Sequence, residues 1–131
     1  MTHPVDAWHD VVATRDMAAL DALLADDVVF HSPVVHTPQR GKAVTGMYLG
    51  AALSVLGNDT FAYVRDVRGD HDAVLEFETT IDGTFVNGVD LISFDEDGRI
   101  QNFKVMLRPL QAVNLVHELM RTMLEEAAGR R

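Results

Sequence analysis

The sequence predicts an α+β fold: one cone-shaped domain over residues 1–131, in which a strongly curved antiparallel sheet wraps around N-terminal helices and a helix ends the chain. Three observations predict it. Apolar residues recur at helical spacing from Pro4 to Gly57, broken by one short strand, and again after Pro109. From Phe61 to Leu107 they alternate instead. Two Asp- and Gly-containing turns divide that alternating part into antiparallel strands.

Each element has its own signal. Pro4 to about Thr14 places Val5, Trp8 and Val12 on one stripe, with Pro4 suited to a first turn. Asp16 can cap a second short helix carrying Leu20, Leu23 and Leu24, which Ala25-Asp26-Asp27 closes. Val28 to His31 reads as a short strand stopped by Pro33. After the loop Thr37–Gly41, a third helix presents Val44, Met47, Tyr48, Ala51 and Val55 and ends at Gly57-Asn58. Strands follow at Phe61–Arg68 and Ala73–Ile81; in the latter Leu75, Phe77, Thr79 and Ile81 share one face, Glu76 and Glu78 the other. Asp82-Gly83 turns the chain into Thr84–Phe94, and Asp95–Gly98 turns it again into Ile100–Leu107. The last helix begins at Pro109 and buries Val113, Val116, Met120 and Met123. A curved sheet over helices leaves a blind apolar cone, a usual home for small ligands.

Composition narrows the partners. A net charge of −9 argues against nucleic acid and against anionic membrane surfaces, and the terminal Arg130-Arg131 reads as a solvated tail. Cysteine is absent, which excludes disulfides and thiolate sites. With no basic-then-apolar leader pattern and no bilayer-length apolar run, a cytoplasmic setting without membrane contact is expected. The expected partners are a small apolar ligand and a second copy of the chain. The two-sided hydrophobicity of Val89, Leu91 and Ile92 fits a homodimer.

Asp90 is the principal candidate for chemistry. It is a lone carboxylate in the strand Val86–Phe94, apolar on both faces, so it is buried whichever way it points. A buried carboxylate must find donors or stay protonated with a raised pKa, and such acids concentrate in functional sites. His31, at the end of the first strand beside Ser32 and Pro33, is a catalytic candidate with a polar rim or outward position as the alternative. No histidine pair has metal-ligand spacing, so no metal or other cofactor is expected. Asp95-Glu96-Asp97-Gly98 lacks the spacing of a calcium loop and reads as a turn. Arg108, at a strand–helix junction, is a ligand-facing candidate; capping a dimer edge or pairing with Glu118 are the structural alternatives.

The segments Asp16–Leu20, Leu23–Phe30, Ser32-Pro33 and Gly41 resemble the opening of SnoaL-like and ketosteroid-isomerase-like proteins, members of the nuclear-transport-factor-two-like superfamily. Gly88–Ile100 is similar to that family's penultimate hairpin, and Met106-Leu107-Arg108-Pro109 resembles the ending of a bacterial branch. The resemblance implies the cone fold and a pocket wall that includes Trp8, Phe30, Met47, Phe77, Val86, Phe103, Val105 and Arg108. It puts Asp90 where ketosteroid isomerases hold a protonated, hydrogen-bond-donating acid. Trp8 stands in the place of the partner tyrosine, and Ser32 in that of the base aspartate. Two of three roles are thus altered, which argues against a standard ketosteroid isomerase. In the cyclases of the family an aspartate is the base; Asp90 would take that role, with His31 or Arg108 holding the enolate oxygen. The expected function is acid/base chemistry (isomerisation, cyclisation or dehydration) on an apolar carbonyl compound, with Asp90, Ser32 and His31 as catalytic candidates. The alternative is a non-catalytic ligand-binding or structural dimer.

Overall fold

A computed structural model of the protein describes residues 2–129. Its elements run α1 (Val5–Thr14), α2 (Met17–Leu23), β1 (Leu24–His31), β2 (Gln39–Arg40), α3 (Lys42–Leu56), β3 (Ala62–Arg68), β4 (Asp72–Ile81), β5 (Thr84–Phe94), β6 (Ile100–Arg108) and α4 (Leu110–Gly129). Arg130-Arg131 lies outside the described residues.

Local chemistry accounts for most boundaries. The Asp16 carboxylate accepts the Ala19 amide at 3.1 Å and caps α2. The β4–β5 hairpin turns at Asp82 (φ 49°) and Gly83 (φ 78°), two successive left-handed residues whose twist matches the flanking strands. Arg15, itself left-handed at the end of α1, donates from its guanidinium to the carbonyls of Leu53 and Gly57 and so closes the C-terminal end of α3.

The six strands form one sheet in the order β2-β1-β6-β5-β4-β3. Every neighbouring pair is antiparallel except β1–β6, which runs parallel with Phe30 beside Phe103. That junction departs from the all-antiparallel expectation: the chain between β1 and β6 contains a whole helix and four other strands, so β1 need not enter by a hairpin. β1 also begins at Leu24, not Val28, because Leu24 and Ala25 are already buried against the core.

The concave face carries Leu75, Phe77 and Thr79 from β4, Val86, Asp90 and Ile92 from β5, and Phe103 and Val105 from β6. Helices α1, α3 and α4 fill it with Trp8, Leu49, Leu53, Val116 and Met120. On α3 the buried residues are Thr45, Leu49, Ala51, Leu53 and Leu56. Of the expected stripe only Ala51 is buried, since α3 is apolar nearly all round and its periodicity does not select a face. On α4 Val116 and Met120 are buried as expected, with Ala112, while Val113 and Met123 are half-buried.

Candidate active site

Between the helices and the concave face lies an apolar cavity of about 50 Å³, room for roughly four water-sized groups. Strand alternation brings Phe77, Phe103 and Val105 to its wall, with Phe30 from β1 and Trp8 from α1. The Trp8 ring packs edge-on against Phe103 at 4.8 Å. Asp90 and Ser32 complete the set of sequence candidates that the fold brings together there.

The polar part of the cavity is a chain of three side chains. Trp8 Nε1 donates to the Tyr63 hydroxyl at 3.0 Å, and that hydroxyl donates to Asp90 Oδ2 at 2.6 Å. The direction is fixed at the first link. An indole N–H can only donate, so the phenol oxygen accepts from Trp8 and sends its own proton on to Asp90. Among the described residues the Asp90 carboxylate has no other hydrogen-bond partner, which leaves Oδ1 for a proton or a ligand.

Burial shifts both titrating groups. It pushes the Asp90 carboxyl up to about 7, and the hydrogen bond from Tyr63 pulls only partly the other way. Tyr63 is half-buried as a residue with its hydroxyl at the buried end. Desolvation and then the Asp90 charge hold its phenol well above the ordinary range. At neutral pH both forms of Asp90 are therefore accessible: a donor when protonated, a base when ionised. No other carboxylate and no histidine lines this cavity among the described residues.

Tyr63 is the site residue that sequence reasoning missed, and the cause is a β-bulge. β3 pairs Tyr63 with Phe77 and then Arg65 with Glu76, so Val64 is one residue extra. The bulge puts Tyr63 and Asp66 on the same face although they are three apart, and simple alternation fails across it. The pattern Phe61-x-Tyr63, breaking down after Val64, is the one signal present in the sequence. Asp66 then meets His9 of α1 at 3.0 Å, beside the Trp8–Tyr63 link.

Four candidates stand elsewhere. His31 lies across β1 from Phe30, outside the cavity, with Asn102 at 3.3 Å from its Nε2. Met47 is 41% exposed on the outer side of α3. Val86 shares the inward parity of Asp90 but is packed in the core beside Thr79, near the hairpin end and away from the cavity wall. Arg108 pairs in register with Asn87 on the convex face, where its charge acts on Glu76; alternation sends Leu107 inward and Arg108 outward, and Glu118 pairs with Arg121 instead. Ser32 does reach the cavity wall, but its Oγ accepts the Val34 amide at 3.2 Å and no basic side chain among the described residues hydrogen-bonds to it. No group of three or more His, Asp or Glu side chains among the described residues is arranged to hold a metal ion, and no described helix is long and apolar enough to cross a membrane.

A curved sheet wrapped over helices around one buried acid is the cone fold of the α+β class. The family model described as the SnoaL-like domain matches residues 5–103. The chain belongs to the SnoaL-like family. It is 31% identical over 109 residues to a steroid Delta-isomerase of Nocardioides simplex, an alignment spanning 80% of this chain and 87% of the relative. The crystal structure of a steroid Delta-isomerase from Pseudomonas aeruginosa superposes with a TM-score of 0.90 at 37% identity, covering 96% of this chain and 92% of that one. A Silicibacter pomeroyi protein with a cystatin-like fold follows at 0.85 and 32%, covering 92% and 85%.

Proposed function

We propose that the protein binds an apolar carbonyl compound in the cavity and moves a proton on it with Asp90, as in an isomerase-type reaction. The observation that carries this reading is the buried Tyr63–Asp90 pair, whose acid is pushed to about 7 in an otherwise apolar wall. In the ionised form Asp90 takes the proton from the carbon beside the carbonyl, leaving an enolate; the protonated acid then returns it to another carbon. Tyr63 holds Oδ2 throughout, and Oδ1 is the oxygen that exchanges. The similarity to two proteins named steroid Delta-isomerase supports the reaction class. The narrowness of the cavity favours slim substrates over a fused ring system unless the Ser32–Val34 segment moves.

A second reading has its own support. With Ser32 occupied by the Val34 amide and no second base in the wall, a protonated Asp90 can simply donate to a ligand carbonyl in a binding protein. Assays with a β,γ-unsaturated ketosteroid and with a small β,γ-unsaturated cyclic ketone, followed by the absorbance of the conjugated enone, separate the two. Proton transfer by Asp90 predicts turnover that rises with pH through about 7 and is lost in Asp90→Asn. Binding without turnover, weakening as pH rises through the same range, would instead establish the binding protein.

We also infer a homodimer across the convex face, where Val67 is 55% and Phe85 52% exposed. Sedimentation velocity reads this directly, with a monomer throughout as the contrary outcome.

A further inference from the structure

β1 stops at His31 and the chain turns away, while β6 continues to Arg108. The notch left beside Val105–Leu107 is a groove of about 520 Å³, some ten times the volume of the apolar cavity. The two spaces share walls: Ser32, Pro33, Val34, Val105 and Leu107 border both. A ligand whose carbonyl reaches Asp90 through the narrow cavity can extend its remaining bulk past Ser32–Val34 into this groove.

The groove is electrostatically unlike the rest of the chain. The net charge is −9, yet the groove wall contains Lys104, His31 and His36 and no carboxylate. Lys104 is the register partner of His31, and Arg40 is that of Val29 on the same outer side of β1. Both cations bear on His31, whose pKa burial lowers first and these two charges lower further. Among the described residues neither Lys104 nor Arg40 has an ion-pair partner, whereas Lys42, Arg65, Arg68 and Arg121 each do. Lys104 on β6 and Arg40 on β2 flank β1 from opposite sides and both act on His31, so their charges repel and an anion seated over His31 relieves that repulsion.

We propose that this groove binds the anionic group, a carboxylate, sulfate or phosphate, of an amphiphilic ligand whose apolar end occupies the cavity. The proposal rests on the reading that the cavity binds an apolar ligand, and narrows its class to compounds with an acidic tail. A charge-assisted contact to Lys104 and Arg40 would distinguish such a ligand from its neutral analogue by about tenfold or more in affinity.

Calorimetric titration of the full chain with octanoate, octyl phosphate and octanol tests it. Both anions should bind at least about tenfold tighter than octanol, and added salt should weaken them alone. Lys104→Glu and Arg40→Glu should remove the preference and leave octanol binding unchanged; both positions are solvent-accessible, so the variants are expected to fold, and circular dichroism confirms it. Either order of affinity between the two anions supports the proposal and identifies the preferred tail. Equal affinity for all three ligands, or a preference that survives both substitutions, overturns it while the cavity reading stands. No binding by any of the three overturns the cavity reading and this inference with it.

Discussion

Asp90 and Glu76 sit on adjacent strands one register step apart, since Leu75 pairs with Asp90 and Glu76 with Val89. They are nevertheless chemically opposite. Asp90 faces inward, is 5% exposed, has Tyr63 as its one described partner, and burial drives its pKa up to about 7. Glu76 faces outward, accepts from Arg65 at 2.9 Å and Asn87 at 3.0 Å, and these hydrogen bonds hold its pKa below the usual carboxylate range. One residue of alternation separates a proton-exchanging acid from a fixed surface charge. The side of the sheet, more than the residue type, decides what a carboxylate can do here.

The sharpest way to break this contrast is pH. Asp90 keeps its proton in the folded chain up to about pH 7, while an unfolded aspartate releases it near about pH 4. Across that window the folded state holds more protons, so this contribution to stability is complete below it and is lost as pH rises through about 7. The full interval corresponds to about 4 kcal/mol. Urea unfolding between about pH 5 and about pH 8 should show wild type losing stability relative to Asp90→Asn; parallel curves would remove the buried acid from the account.

Tyr63→Phe comes next. It strips Asp90 of its donor and leaves the Trp8 N–H without an acceptor, a cost of about 1–3 kcal/mol. Because the lost hydrogen bond was lowering the Asp90 pKa, the carboxyl should titrate higher still in carbon-detected NMR. Gly88→Ala probes the same face without touching charge. A Cβ there would collide with Phe77 and with Leu107 Cδ2, and overpacking of this kind costs about 1–3 kcal/mol in chemical unfolding. The smallest effect belongs to Glu76→Gln. Its stabilisation is present at neutral pH and lost on acidification through a pKa below the usual range, so the variant should be slightly less stable than wild type at neutral pH and match it on the acid side. The NMR titration of Asp90 should not move in it.

Much of the fold was legible because its signals are local. Asp82-Gly83 demanded left-handed residues, Asp16 offered a cap, and Glu76 and Glu78 alternated with Leu75 and Phe77 over a full strand. The site was legible in part. Asp90 stood out as a carboxylate in an apolar strand, and Trp8, Phe30, Phe77 and Phe103 reached the cavity wall because their helical or strand spacing placed them inward. Where spacing carried no information the reading failed. Met47 lies on a helix apolar on nearly every side, and Tyr63 precedes a bulge that inverts the alternation.

The sequence by itself determined the α+β order, the turn positions and the presence of one acid that could not remain in water. Those properties depend on neighbours a few residues apart. Only the tertiary structure decided that Trp8, Tyr63 and Asp90, from one helix and two strands, would form a single hydrogen-bonded chain in one cavity. It also left Lys104 and His31 outside that cavity. Those outcomes follow from sheet register, the extra residue at Val64 and the early end of β1, which arise from long-range pairing and leave little mark on local composition.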